Sequence, residues 1–295
     1  MVQPIQQPIK QKPPVENRED IIQKEINHIA NSNPYIEIHE RDSALHKWLD
    51  KQKQSKVCGL AVEDRGSNLS RSCYDYFLSS SPQRENLISI PLKVLYVRTS
   101  QPGKNTHLFI DILNALNHPL NSGTLRDLRK RVRGTLKKYQ VKLLIVDDAH
   151  ILKRNAMVEL IKIHDDLKIP VVMAGAYDLE ERLSRTKGYE HINNAFFSIH
   201  NYRTLTQDEV TAFVTAWEEE VLESWGDKDK PDLADDEKFI EFLYTRSSGL
   251  VQHLHGYLKK IAIAQLENIA NPSSEESINL YEVMGDTRSA ITVDF

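Results

Sequence analysis

Five short apolar segments, separated by polar and helical stretches, dominate the pattern of hydrophobic positions along the chain. They are "VCGLAV", "LKVLYV", "VKLLIVDD", "IPVVMAGA" and "FFSIHNY", each rich in Val, Ile, Leu or Phe. Short runs that are apolar throughout are typical of strands buried on both faces of a sheet. Because helical stretches lie between most of them, the pattern predicts an α/β fold with a mostly parallel sheet.

Helical patterns lie on both sides of these strands. Residues 20–30 and 43–54 predict two helices before the first strand, and Ser43 can cap the second. After residue 203 the pattern becomes wholly helical. Thr206 and Glu209 have the spacing of a capping box, and two further helices follow.

The pattern therefore predicts four parts of the chain. They are a Pro- and Gln-rich arm (1–19), an α/β domain with N-terminal helices (20–203), a small helical lid domain (204–271) and a loosely held tail (272–295).

Composition restricts the class of protein. The chain has 295 residues, a net charge of -4 and 40% apolar residues, enough for one good-sized core and a small second domain. The near-neutral charge argues against binding nucleic acid over the whole surface, but it does not exclude a local basic patch. Two cysteines, Cys58 and Cys73, are too few for a disulfide framework and indicate a reducing compartment. With no membrane-spanning run and no signal-peptide core, we expect a cytoplasmic protein without a membrane partner.

Asp147 and Asp148 end the apolar run "VKLLIVDDAH" and form the strongest local signal. In nucleotide hydrolases an acid at the end of such a strand holds Mg²⁺, and a neighbour orients the attacking water. An acid at a strand end can equally cap the next helix. The pair alone does not separate these interpretations, but a preceding strand with a loop and a following helical lid favour the first.

Five longer segments keep a common order and spacing: "LHKWLDKQKQSKVCGLAVEDRG", "LLIVDDAHIL", "IPVVMAGAYDLEERL", "LTQDEVTAFVTAWEEEVL" and "SGLVQHLHGYLKKIAIAQL". Together, from about Leu45 to Ala270, they resemble the AAA+ transposition regulators TnsC, TniB and MuB. The similarity is strongest to the short TnsC proteins of Tn7-like and CRISPR-associated transposons. The resemblance implies a P-loop NTPase-like AAA+ fold. It also implies an ATP-bound protein that oligomerises on DNA and joins a target-selecting protein to a transposase.

The stretch "VEDRGSNLSRS" lies where the resemblance places the phosphate-binding loop. Such a loop needs glycines for close backbone approach, Lys for the phosphate charge and Ser or Thr for Mg²⁺. Depending on a shift of one residue, the Lys position is Asn68 or Leu69, and the hydroxyl position is Leu69 or Ser70. Two acids, Glu63 and Asp64, precede the loop's single glycine and place negative charge where the phosphates would bind. The candidate loop residues are Glu63, Asp64, Arg65, Gly66, Asn68, Leu69 and Ser70.

The remaining catalytic parts implied by the resemblance also differ. Ala176 stands where the family has a polar sensor, no Arg precedes Arg203 in the arginine-finger region, and His253 replaces the sensor Arg of the lid. A lost charge-assisted contact costs about 1.5 to 3 kcal/mol, and about 1.4 kcal/mol is tenfold in affinity. We therefore expect neither ATP nor Mg²⁺ as a cofactor and no ATPase activity, with Asp147 and Asp148 as vestigial catalytic residues.

The segment from Thr124 to Gln140 is the most basic part of the chain and predicts an amphipathic helix. Its cations form either a solvated face or a surface for DNA phosphates. In the resembling family, DNA is held by a Lys after the second strand and by a Thr at the start of this helix. The first falls near Thr106, with Lys104 as a displaced candidate, and Thr124 matches the second. Thr124 can instead cap the helix together with Asp127. The candidate DNA-binding residues are Lys104, Thr106, Thr124, Arg126, Arg129, Lys130 and Arg133.

The leading hypothesis is a pseudo-ATPase, a non-catalytic AAA+-like adaptor in DNA transposition that links target-selection proteins to the transposase. The expected partners are a TnsC-like subunit, a TniQ-like targeting protein and the transposase, with double-stranded DNA as a further candidate. No Cys/His cluster has zinc spacing, so no metal site is expected. Two alternatives stay open: an active TnsC-like ATPase that uses Arg65 or Arg71 in a rearranged loop, and a regulatory protein-binding subunit outside transposition. The oligomeric state is left open.

Overall fold

The five apolar segments form one parallel sheet in the computed structural model of the chain. The strands are Gly59–Glu63 (β1), Leu95–Arg98 (β2), Leu144–Asp147 (β3), Val171–Ala176 (β4) and Ser198–Tyr202 (β5). Their order is β2-β3-β4-β1-β5, and each pairing is parallel. The predicted α/β class with a parallel sheet is therefore confirmed.

The structure describes residues 18–80, 91–222, 233–270, 278–279 and 292–293. Helices connect and cover the strands within these ranges. They are Arg18–Asn31 (α1), His39–Ser55 (α2), Leu69–Ser80 (α3), Asn105–Ala115 (α4), Leu125–Lys138 (α5), Arg154–Leu167 (α6), Asp178–Arg185 (α7), Glu190–Ala195 (α8), Gln207–Val221 (α9), Glu237–Ser247 (α10) and Val251–Ala270 (α11). A short 3-10 turn, Ala149–Ile151, follows β3. The helical region predicted after residue 203 is thus confirmed as α9 to α11.

The two faces of the sheet each pack against a separate apolar core, which explains why the strands are apolar throughout. In β3, Leu144 and Val146 pack on one face with residues of α4, α5 and α6. Ile145 packs on the other face with Leu45 and Leu49 of α2 and with residues of α3. Alternate residues of a strand point to opposite faces, so a strand covered on both sides needs an apolar residue at every position.

Helix α2 begins at His39, four residues before the predicted cap at Ser43, so that prediction was wrong. The helix start is fixed by Asp42, whose carboxylate is fully buried. It accepts the N–H of Ile38 at 2.7 Å and the hydroxyl of Tyr202 at 2.5 Å. Because Tyr202 is 160 residues away in sequence, the local pattern carries no sign of this contact.

Three other helix ends agree with the sequence. Thr206 and Glu209 form the predicted capping box, with N–H to oxygen distances of 2.9 and 3.4 Å. Thr124 and Asp127 form a second one at the start of α5. Helix α10 ends as predicted before Gly249, which has a φ of +69°. A Cβ at Gly249 would lie 2.2 Å from the carbonyl oxygen of Leu205, so glycine is required there.

The chain divides into two compact units. One consists of residues 1–34, 218–231 and 255–295, and the other of residues 35–217 and 232–254. The second unit contains the whole five-stranded sheet. Within the first, the carbonyl oxygen of Ala30 accepts a hydrogen bond from Lys259 Nζ at 3.1 Å. The predicted domain limits at residues 203 and 271 remain predictions.

The arm and the tail predicted at the two ends of the chain lie largely outside the described residues. In the tail, the described pairs Ile278–Asn279 (β6) and Thr292–Val293 (β7) form a short antiparallel ladder. Among the helices that the structure describes, none combines the length and the apolar character needed to cross a membrane.

Two glycine substitutions test how tightly the loop after α10 is packed. Gly249→Ala is expected to lower the free energy of unfolding by about 2 to 4 kcal/mol, because the new Cβ meets Leu205 and the backbone is left-handed. Gly134→Ala in α5 is the matched control, since a Cβ there has nothing within 4 Å. It is expected to raise the unfolding free energy by about 0.5 to 1 kcal/mol. Urea unfolding measures both, and equal effects would contradict this packing.

Candidate functional site

The carboxyl ends of β1 and β3 bring the predicted loop and the predicted acids together. Glu63 ends β1, residues 64–68 form the loop, and α3 begins at Leu69. Asp147 ends β3, and its Oδ1 accepts a hydrogen bond from Ser70 Oγ at 2.9 Å. Carboxyl ends of parallel strands are where open α/β sheets bind ligands. The loop, the start of α3 and Asp147 therefore form one candidate site.

The contact between Ser70 and Asp147 favours one of the two alignments that the sequence left open. In a phosphate loop the hydroxyl residue and the strand-end acid meet at Mg²⁺. The contact agrees with the alignment that has Ser70 at the hydroxyl position and Leu69 at the Lys position. Leu69 is 1% exposed and packs in the apolar core that α2 and α3 form on the sheet. The loop therefore has no cation where a phosphate loop has its lysine.

The carboxylate of Glu63 binds the first turn of α3. Its Oε2 accepts the backbone N–H of Leu69 at 2.8 Å. N–H groups at a helix N-terminus have no partner inside the helix and favour an anion, which is why such ends bind phosphate. In this chain an internal carboxylate supplies that anion.

Both carboxylate oxygens of Asp147 are engaged by hydroxyl groups. Ser70 donates to Oδ1, and the hydroxyl of Tyr96 on β2 donates to Oδ2. Asp147 is 1% exposed, and burial raises its pKa above the ordinary value, against the hydrogen bond from Tyr96. Hydroxyl groups of the protein thus take up one acceptor position on each oxygen of Asp147.

The second acid, Asp148, has a different set of partners. Arg98 Nε donates to its Oδ2 at 2.7 Å, and Thr99 Oγ1 donates to its carbonyl oxygen at 2.9 Å. Arg98 is largely exposed, so solvent weakens this ion pair. Asp148 is therefore paired with a cation of the neighbouring strand.

Two arginines, Arg65 and Arg41, have surroundings that the sequence did not predict. Arg65 is a candidate substitute for the lost lysine. Its Nη2 lies 3.4 Å from Oδ2 of Asp178, and both side chains are exposed. Arg41 on α2, which the sequence did not single out, is buried, and its guanidinium lies 4.4 Å from the ring centre of Tyr202. The charge of Arg41 lowers the pKa of Glu63. The buried cation that acts on this carboxylate therefore comes from an N-terminal helix and not from the loop.

Glu63 is the titratable group of the site with a pKa near neutrality. Burial raises its pKa to about 7, and the neighbouring charge of Asp147 acts in the same direction. The hydrogen bond from Leu69 and the charge of Arg41 lower the pKa but do not offset burial. A second carboxylate charge beside Asp147 is thus unfavourable, and Glu63 takes up a proton close to pH 7.

The first turn of α11 covers the loop. The N–H of Gln252 donates to the carbonyl oxygen of Gly66 at 3.0 Å. Gly66 has a φ of +100°, and a Cβ there would lie 3.5 Å from Gln252 Cβ. Next to Gln252, His253 is exposed. The helix that would carry the lid's sensor arginine is therefore in place and presents a backbone N–H to the loop.

The other predicted sensor and finger positions contribute no charge to the site. Ala176 ends β4 and is 6% exposed. Arg203, the first arginine after β5, pairs with Glu209 at 2.5 and 2.7 Å. That ion pair belongs to the capping box of α9.

Comparisons with known proteins agree with the fold. Residues 44–183 match the AAA domain family model. The chain is similar to the structure of Drosophila ORC bound to DNA, with 14% identity, a TM-score of 0.56, and coverage of 96% of this chain and 69% of that one. It is also similar to Aeropyrum pernix ORC2 in ADPNP-ADP complexes, with 11% identity, a TM-score of 0.60, and coverage of 90% and 72%. For AMPPCP-bound DnaA from Aquifex aeolicus the values are 12%, 0.50, 80% and 66%.

The chain has the AAA+ fold. No curated protein gives a significant match to its sequence. Neither the family model nor these structures single out the TnsC, TniB or MuB type, so that finer assignment stays a proposal. On the AAA+ fold, Glu63, Leu69 and Asp147 occupy the positions that would face the phosphates and Mg²⁺. These residues are a poor fit for Mg²⁺ and a triphosphate. Glu63 already binds the helix N–H, Leu69 carries no charge, and Asp147 is hydrogen-bonded to two hydroxyl groups.

The predicted DNA-binding residues divide into paired and exposed groups. Arg129 binds both oxygens of Glu159 at 2.8 Å, and Arg133 lies 2.7 Å from Asp166. The hydroxyl of Thr124 donates to the carboxylate of Asp127 and accepts the N–H of Asp127, as part of the capping box. Arg126 and Lys130 are exposed on α5. Two of the basic residues of α5, Arg129 and Arg133, thus form ion pairs with α6.

A cleft brings Lys104 and Thr106 to the start of α5. Its volume is about 330 Å³, and its lining residues are Lys104, Asn105, Thr106, Leu125, Lys153 and Asn155. Lys104 directly precedes α4 and Lys153 directly precedes α6, so two helix N-termini and two exposed lysines meet there. Helix N-termini and lysines both favour phosphate. The sequence could not single out Lys153, because only the topology of the sheet places it near Lys104.

The raised pKa of Glu63 predicts a pH dependence of stability. A carboxyl whose pKa is higher in the folded state contributes full stability below its unfolded pKa and loses it as pH rises through about 7. Glu63→Gln keeps an acceptor for the N–H of Leu69 and removes the titration. Between pH 5 and 8 the variant is expected to gain about 2 to 3 kcal/mol of unfolding free energy relative to wild type. The exposed Glu37, changed to Gln, is the control and is expected to show no such gain. Urea unfolding over this pH range would contradict the account if the two variants behaved alike.

Proposed function

We propose that this protein is a pseudo-ATPase, an AAA+-fold adaptor that binds macromolecules without ATP turnover. The observation that supports it most directly is the Glu63 carboxylate on the N–H of Leu69, at the helix end where a phosphate loop binds its nucleotide. To bind there, a triphosphate would have to displace the carboxyl group of Glu63 from this N–H.

The energetic cost of this arrangement is large. At the Lys position, Leu69 offers no charge-assisted contact, and such a contact contributes about 1.5 to 3 kcal/mol. Glu63 and Asp147 add negative charge beside the phosphates of a nucleotide, and like charges at close range disfavour binding. Two or three such losses weaken affinity by several orders of magnitude, since about 1.4 kcal/mol is tenfold.

The catalytic role of the acids is also weakened. Mg²⁺ requires near-octahedral oxygen ligands and loses its waters reluctantly. Mg²⁺ at Asp147 would compete for this carboxylate with the hydrogen bonds from Ser70 and Tyr96. We therefore propose that these residues now hold the strands and α3 together as a structural network.

The biological setting that we propose is DNA transposition, on the resemblance to TnsC, TniB and MuB over residues 45–270. In that setting the chain would link a TniQ-like targeting protein to a transposase, alone or with a TnsC-like subunit. The cleft with Lys104 and Lys153 and the exposed face of α5 would contact the phosphates of duplex DNA without reading the bases. Of these proposed partners, duplex DNA is the one that the anisotropy experiment below tests.

Nucleotide titration tests the pseudo-ATPase proposal against an active ATPase with a rearranged loop. Isothermal calorimetry of the wild type with ATP and Mg²⁺ is expected to show no binding up to millimolar nucleotide, and phosphate release is expected to equal that of Asp147→Ala. Micromolar ATP affinity, with hydrolysis that Asp147→Ala abolishes, would instead establish the active enzyme. Arg65→Ala and Arg71→Ala would then identify the substitute cation.

Fluorescence anisotropy with labelled duplex DNA tests the DNA surface. Lys104→Glu is expected to weaken binding about tenfold or more and to reduce the salt dependence, because phosphate contacts release counterions. Lys187→Glu, an equal charge change at an exposed residue between α7 and α8, is the control. An equal loss in both variants, or affinity independent of salt and of Lys104, would contradict DNA binding at this cleft.

A further inference from the structure

A pocket lies between α5 and the loop that joins α4 to α5. Its volume is about 560 Å³, and small-molecule sites usually measure about 300 to 1,000 Å³. Helix α5 contributes Asp127, Lys130, Arg131, Gly134, Thr135 and Lys138 to its lining. Residues three or four apart share one face of a helix, so these residues form one stripe. Arg129 and Arg133 lie on another face and pair with α6.

Hydrogen bonds within the protein fix the loop that forms one wall of this pocket. Arg131 Nη1 donates to the carbonyl oxygens of Leu120 and Ser122 at 3.1 and 2.9 Å. The N–H of Leu120 donates to Nδ1 of His118 at 3.1 Å, and His118 lines the pocket. The wall is therefore in place before a ligand binds, which reduces the entropy that binding costs.

The cations of this pocket are not neutralised by carboxylates. Within the ranges that the structure describes, no carboxylate forms an ion pair with Lys130, Arg131 or Lys138. Asp127 also lines the pocket, but its carboxylate accepts hydrogen bonds from the N–H and the hydroxyl of Thr124. Three cations and one acid among the lining residues leave a surplus of two positive charges. The pocket therefore favours an anion.

Gly134 keeps space open in this pocket. Glycine inside a helix is destabilising relative to alanine, and Gly134 lies within α5. Its φ is not positive, so the backbone does not require glycine there. Close packing does not require it either, because a Cβ at residue 134 meets nothing within 4 Å. A larger side chain at this position would extend into the pocket that Gly134 lines.

We propose that this pocket binds a small sugar phosphate. A phosphomonoester carries about -1.5 to -2 charges at pH 7, which balances the surplus of positive charge. Lysine and arginine side chains both donate to phosphate oxygens. The lining also includes the amide of Asn117 and the hydroxyl of Tyr139. In the part of the chain that the structure describes, neither side chain makes a hydrogen bond, so both are available to the hydroxyl groups of a sugar.

This site goes beyond the adaptor role and does not depend on it. The pocket shares no lining residue with the cleft that contains Lys104. ATP chelated by Mg²⁺ presents no free phosphomonoester, so the calorimetric experiment with ATP does not test this pocket. A sugar 5-phosphate can come from two sources, a free small molecule or the 5′ end of a DNA strand.

NMR titration with ribose 5-phosphate tests the site. The sugar phosphate is expected to shift the amide signals of Lys130, Gly134 and Tyr139 saturably, whereas ribose leaves them unchanged. Lys138→Gln is expected to weaken binding about tenfold or more, because it removes a charge-assisted contact. Lys142→Gln is the matched control, since Lys142 is an exposed lysine that does not line the pocket.

Gly134→Leu tests the shape of the pocket without changing its charge. The leucine side chain is expected to fill the pocket and abolish binding, and urea unfolding checks that the fold is kept. A general attraction of anions to the basic surface would survive this change. The proposal is overturned if ribose 5-phosphate gives no saturable shift, if Lys138→Gln and Lys142→Gln lose affinity equally, or if Gly134→Leu binds as the wild type does.

A pair of oligothymidylates separates the two sources of the phosphate. One carries a 5′-phosphate and the other a 5′-hydroxyl group. If the 5′-phosphate strengthens binding about tenfold or more and Lys138→Gln removes this gain, the site holds the end of a DNA strand. If the two oligomers bind alike while ribose 5-phosphate binds in the pocket, the site holds a free sugar phosphate.

Discussion

The hydrogen bond from the backbone N–H of Leu69 to Glu63 is the interaction on which the site depends. A helix that begins at the carboxyl edge of a parallel sheet needs an acceptor for its first N–H groups. In a phosphate loop that acceptor is the nucleotide. Here it is the carboxyl group of Glu63 at the end of β1, whose Oε2 lies 2.8 Å from the nitrogen of Leu69. The first N–H of α3 therefore has an acceptor before any ligand arrives.

A second set of hydrogen bonds replaces the bridging role that Mg²⁺ has in a nucleotide hydrolase. Ser70 on α3 and Tyr96 on β2 meet at Asp147 on β3, so three elements are joined through one buried carboxylate. Groups of this kind are costly to bury unless their partners are present. The network ties the loop to the sheet, and Gln252 holds the loop from the side of α11. Side chains thus provide the ordering that a bound nucleotide provides elsewhere.

The sequence predicts most of the fold, because local patterns control it. All five strands and the start of α5 follow from apolar runs and a capping box, which depend on near neighbours. The start of α2 could not be predicted, since Asp42 is fixed by Tyr202 from the far edge of the sheet. The prediction for Glu63 was incomplete for a related reason. Its charge suggested repulsion of phosphate, but its hydrogen bond to Leu69 depends on the turn of the loop.

Two further residues of the site gave no signal in the sequence. Tyr96 lies within an apolar strand, where an aromatic residue is expected in any case, and only the sheet order brings its hydroxyl to Asp147. Arg41 lies in a charged helical stretch, where burial is not expected. By contrast, Asp147 and Asp148 could be singled out because nucleotide hydrolases hold Mg²⁺ with an acid at the end of such a strand. The sequence therefore located the site but not the contacts that change its chemistry.

The amide signal of Leu69 in ¹⁵N NMR spectra tests most directly whether Glu63 acts as the anion of this loop. If it does, the Leu69 amide shift follows a titration with a midpoint near the Glu63 pKa of about 7, and millimolar ATP with Mg²⁺ leaves it unchanged. In Glu63→Gln the titration disappears. A Leu69 amide shift that does not change with pH but changes saturably with ATP would show that the helix end still binds phosphate. That result would contradict the account.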